Sequence, residues 1–134
     1  MATATHATMH HDHRQWVSDN DMWRCDIANW QQELKKAEID FKQVEEAFKA
    51  HERALQTHAA AICLRQQELA THEHALAEYQ RGNLGAGLVP LGQSHDQEAG
   101  KHAQQSEAHE RIKRHHHDLM CKMGHLRESA NKPL

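Results

Sequence analysis

Fifteen of the 134 residues are histidine. Imidazole is the commonest metal ligand and the side chain that titrates nearest neutral pH. The spacing of these residues matters more than their number. His95, His102, His109 and His116 recur every seventh residue, as do His51 and His58, with His72 two heptads beyond His58. On a helix each set shares one face. Imidazoles on an interior face need a hydrogen-bond partner or a metal. For any one of them, a satisfied and partly hydrated polar layer that sets helix register is the simpler account. For seven in two rows, metal binding leads.

Three constellations are candidate ligand sets. In the first, Glu68 stands four residues before His72 and Glu98 four before His102. If the two segments face one another, two carboxylates and two imidazoles meet in one layer, a set suited to Zn, Fe or Mn. Otherwise each Glu and His form an intrahelical pair. The second is His58 with His115, His116 and His117, of which only one or two can share a site, because consecutive helical residues diverge by about 100°. It reads equally as a solvated end of the cluster. The third is His117, Cys121 and His125 at successive turns, with Met120 and Met123 adjacent. Thiolate and thioether beside imidazole suit Cu(I) or Zn. His6, His10, His11 and His13 lie near the start and are possible further ligands. Alternatively Cys121 is a small buried side chain and its neighbours are solvated. Adding His51 and His109 gives the full candidate set, with a transition metal (Zn, Cu or Fe) as the expected cofactor.

The elements that must position these residues are helical. Ile27, Leu34, Phe41, Phe48, Leu55, Ile62, Leu69 and Leu76 recur at sevens without exception. These a positions are followed three residues on by a d row: Trp30, Ala37, Val44, His51, His58, Arg65, His72 and Tyr79, with Trp23 one heptad earlier. Sustained heptads of this kind mark a coiled coil. No Pro or Gly interrupts the chain up to Arg81. Ser18-Asp19-Asn20-Asp21 resembles a helix start, because short polar side chains cap free backbone N–H groups. The spacing therefore predicts a helix over about 19–81, about 60 residues or about 90 Å long. Residues 1–18 are expected to be a flexible His-rich arm. The stretch 82–93, with its glycines and Pro90, reads as a loop. A second helix is expected over about 94–129, with the His row on its seam.

Folding back at the loop gives a long antiparallel hairpin within a single domain, 19–134, of all-α class. With Arg81 opposite Ser94, Tyr79 would lie near His95, His72 near His102, Arg65 near His109, His58 near His116 and His51 near Met123. The second helix would then run out before covering Trp23, Ile27, Trp30, Leu34 and Phe41. An exposed apolar stripe of that length needs a partner. A homodimer completing a four-helix bundle is the simplest cover. An arm folded back through Trp16 is the alternative.

Composition excludes several classes. Aromatics are 4% and prolines number 2, which argues against an all-β fold. No apolar run approaches the roughly 20 residues of a membrane helix. The net charge of −3 with neutral histidines lacks the basic bias of a nucleic-acid binder. Three cysteines without a CxxC pair, and a start without an apolar leader, point to a reducing cytoplasm. Glu-x-x-His, HExxH and CxxCH patterns are absent. No nucleophile has an arranged base, so no enzyme mechanism gains support. The expected function is binding, buffering or handling of a transition metal. The competing expectation is a non-catalytic coiled-coil interaction protein whose His layers make assembly pH-sensitive.

Overall fold

A computed structural model describes residues 5–82 and 87–134. The described residues are almost entirely helical: α1 spans His6–Gln80 and α2 spans Leu88–Ala130, with no strand among them. No described helix is long and apolar enough to cross a membrane. The chain divides into two units, Met1–Ala50 and His51–Leu134, and the boundary falls within α1.

In the first unit α1 starts at His6, so the expected arm is helical from there on. The physical reason is a cap at Thr5. Its Oγ1 accepts a hydrogen bond from the backbone N–H of Thr8 at 3.1 Å, which satisfies a donor that the helix itself leaves free. The Ser18–Asp21 cluster lies inside the helix. There Gln15 Nε2 donates to Asp19 Oδ1 at 3.0 Å, a contact across one turn. The heptad therefore continues upstream, and Trp16 joins Trp23 and Trp30 on the d row. All three indoles are exposed, at 56%, 55% and 58%.

In the second unit α1 runs from His51 to Gln80 and α2 packs beside it in the antiparallel sense. α1 ends where Gly82 adopts φ +79, and the Gly82 N–H bonds to the Tyr79 carbonyl at 3.0 Å. Glycine takes this left-handed backbone without the steric cost of a Cβ. α2 begins at Leu88, several residues before the expected Ser94. Pro90 falls within its first turn, where a missing N–H costs no helical bond. Part of the expected loop is thus helix, and residues 83–86 of it lie outside those described. The N-cap is Gly87, which has no capping side chain.

Few side chains are deeply buried. Among the described residues only Leu91, at 4% exposure, and Arg65, at 8%, count as buried. The a-row residues Ile62 and Leu76 are half-buried, whereas Leu55 and Leu69 are at least 36% exposed. The contact between the helices is therefore carried largely by the polar d row.

Candidate functional site

The d row of α1 meets the His row of α2 as a ladder of side-chain pairs. His51 Nε2 lies 3.0 Å from His116 Nδ1. One heptad along, His58 Nε2 lies 3.0 Å from His109 Nδ1. Both ring pairs stack, with centroids 5.3 and 5.2 Å apart. In each pair one ring's N–H donates to the other's lone pair, so at least one nitrogen must be unprotonated. A third pair, His72 and His95, stacks with centroids 5.5 Å apart. There His72 Nε2 is buried without a hydrogen-bond partner among the described residues.

Arg65 occupies the position between the second and third pairs. Its Nη1 donates to Glu68 Oε2 at 2.9 Å and also to Glu98 Oε2 on α2. Its Nη2 donates to the Glu98 backbone carbonyl at 3.2 Å. Lys101 approaches the same carboxylates, 3.5 Å from Glu68 and 3.7 Å from Glu98. The guanidinium's hydrogen bond holds the Glu68 carboxyl below its usual range, and Lys101 adds to this while partial burial opposes it.

This register lies one heptad from the expected one. His72 faces His95 rather than His102, His58 faces His109 rather than His116, and His51 faces His116 rather than Met123. Arg65 meets Glu98 rather than His109. The physical reason is the charge in the layer. In the expected register Gln105 would stand where Glu98 stands, so Arg65 would keep Glu68 on its own helix but lose the carboxylate across the interface, and weakening the pairing of a buried charge is unfavourable. The early start of α2 makes the observed register reachable.

The three ligand constellations change accordingly. Glu68 and Glu98 do not join His72 and His102 as a four-ligand layer, because both carboxylates are engaged by Arg65 and Lys101. His102 is exposed between two grooves. One also holds His72 and His95, and the other His58 and His109. His115 and His116 gather at His51 rather than His58, with His115 edge-on to His51 at 5.1 Å and His117 at 6.2 Å from His116. Cys121 is exposed, as is His125, while Met123 is half-buried. His117, Cys121 and His125 form no cluster. More generally, no group of three or more His, Cys, Asp or Glu among the described residues is arranged to hold a metal ion.

One participant's role is not visible in the spacing, and another's partner differs from the expected one. Arg65 organises the ladder, and the signal for it was a cation in the d row three residues before Glu68. His115, expected with His58, lies beside His51 although it is off the strict heptad. No family model, curated protein or solved structure matches this chain.

What the ladder offers chemically is pairs of nitrogens. Metal–imidazole bonds are about 2.0–2.1 Å, so two nitrogens on one ion stand about 2.9 Å apart at a right angle and about 3.3–3.4 Å apart in a tetrahedron. The 3.0 Å separation in the His51–His116 and His58–His109 pairs suits that span as well as it suits one shared proton. A pair supplies two ligands and leaves the remaining positions to water or to an incoming ligand.

Proposed function

We propose that the hairpin of the second unit handles a transition metal, taking Zn or Cu ions between paired imidazoles. The observation that supports this reading is the repeated cross-helix pair, His51–His116 and His58–His109, each with nitrogens 3.0 Å apart. The partnerless His72 Nε2 beside His95 adds a free donor of the same type. Closed structural zinc sites use four protein ligands, whereas open ones keep positions for exchange. Two-ligand sites in series would hold ions loosely and pass them on, so buffering or transfer fits the ladder better than permanent storage.

The test uses the full chain purified without a metal-affinity step. Ligating rings must be unprotonated, so binding should weaken with acid. An ion that binds only the folded state at 100 times its Kd adds about 2.7 kcal/mol of stability. Zn or Cu should raise the Tm at about pH 7.5 and do far less at about pH 5. His58→Ala and His109→Ala should each lose the same equivalent of metal, and the double variant no more, because both would ligate one ion. No Tm shift with Zn, Cu, Ni, Co or Fe would overturn the reading.

The hydrogen bond within each pair favours a second reading, a coiled-coil protein whose assembly follows protonation of the ladder. Charging both rings of a pair removes its acceptor and sets like charges side by side. Under that reading the metal-free hairpin loosens on acidification and metal content stays negligible throughout.

A further inference from the structure

The first unit presents a face that the ladder does not use. Trp16, Trp23 and Trp30 stand on its d row, more than half exposed, and Ile27, Leu34 and Phe41 stand exposed on its a row. Beside them runs an unbroken g row of carboxylates: Asp12, Asp19, Asp26, Glu33 and Asp40, one per heptad. Among the described residues none of the five takes part in an ion pair. Asp12, Asp19 and Asp26 precede the three indoles by four residues and are half-buried. Each aromatic ring is thus bordered by a carboxylate one turn away.

We infer that this face docks an amphipathic helix of another protein whose flanks carry Arg or Lys at heptad spacing. The apolar seam supplies the burial, and tryptophans are the side chains that most often anchor such interfaces. The charge pattern selects the partner. A basic flank meets five carboxylates that hold no ion pair, and its guanidinium or ammonium groups can lie over indole faces as cation–π contacts.

A second copy of this chain fits the same face poorly. In a parallel pairing the g row meets the partner's e row. Asp19 would then meet Arg24, but Glu33 would meet Glu38 and Asp40 would meet Glu45. In an antiparallel pairing the g rows meet each other, carboxylate against carboxylate along their whole length. Like charges at these positions are the usual device against wrong pairing.

All three tryptophans of the chain lie on this face, so tryptophan fluorescence, excited beyond the absorption of Tyr79, reads it alone. The full chain is titrated with two synthetic helices of about four heptads with identical apolar seams, one flanked by Lys and Arg and one by Glu. The basic peptide should shift emission to the blue and shield the indoles from acrylamide. It should bind at least about tenfold more tightly than the acidic one and weaken with salt. The Asp19→Lys, Asp26→Lys, Glu33→Lys triple variant, with helicity checked by circular dichroism, should reverse the preference. Equal affinity for the two peptides, binding of neither, or an unmixed chain that sediments as a dimer with shielded indoles would each overturn the proposal.

Discussion

Up to Ala50 the heptad of α1 carries large apolar side chains on both rows, with Trp23 and Trp30 on d and Ile27, Leu34 and Phe41 on a. From His51 onward the a row stays apolar, and the d row becomes His51, His58, Arg65 and His72. The first arrangement leaves its indoles more than half exposed, and the second is covered by α2 through specific pairs. An apolar seam accepts any complementary surface, so its selectivity must come from the charges beside it. A polar seam accepts only a partner that places the right group at each layer. One periodicity thus carries two kinds of specificity. The covered half is also the half in which a register error takes the cross-helix carboxylate away from a buried cation.

The largest expected effect tests that difference. Arg65→Ala removes the cation from a layer where the Glu98 side chain is only 13% exposed. Removing one partner of a buried pair costs up to about 3–5 kcal/mol, and Lys101, left beside both carboxylates, holds the loss toward the lower end. Lys at position 65 should recover only part of this, since an ammonium cannot make the fork to two carboxylates and a carbonyl. In the first unit Asp26→Ala should change stability by less than about 0.5 kcal/mol. Urea unfolding followed by circular dichroism measures both, and equal effects would break the comparison.

A smaller effect separates purpose from packing within the ladder. His58→Leu alone leaves the His109 nitrogen without its partner and should cost about 0.5–1.5 kcal/mol. Replacing both His58 and His109 by Leu removes the unmet polar group and supplies apolar contact instead. The double variant should be at least as stable as the parent yet lose its share of metal response. A double variant less stable than either single one would mean that the imidazoles are there for packing.

The helical architecture was legible because eight a positions repeat without a break from Ile27 to Leu76, and no Pro or Gly precedes Gly82. Which rows meet was legible too, since the His rows repeat at the same period. The register was not. A heptad pattern looks the same after a shift of seven, so only a landmark outside the pattern fixes it. Pro90 and its glycine neighbours read as a breaker, although proline is at home in a first turn. The buried Arg65–Glu98 pair was the other landmark, but a cation within a row of imidazoles is easily read as one more polar layer. The Ser18–Asp21 cluster resembles a helix cap although it lies inside α1. That concealed the third tryptophan of the d row and the upstream end of the carboxylate row.

The smallest expected effect lies in the acid limb of stability. Glu68 is held below its usual range chiefly by the Arg65 hydrogen bond, with Lys101 adding to it and Glu98 sharing both cations. A carboxyl whose folded value is lowered contributes stability that is fully present above its ordinary range. That contribution disappears as pH falls through the lowered folded value. Stability should therefore decline on acidification below the ordinary carboxylate range. Glu68→Gln keeps the size of the side chain and removes the titration, so it should flatten this limb. Chemical denaturation of the parent and the Glu68→Gln variant across the acid range measures this. If the variant lost stability as steeply as the parent, the acid sensitivity would lie outside the charge layer that sets the ladder's register.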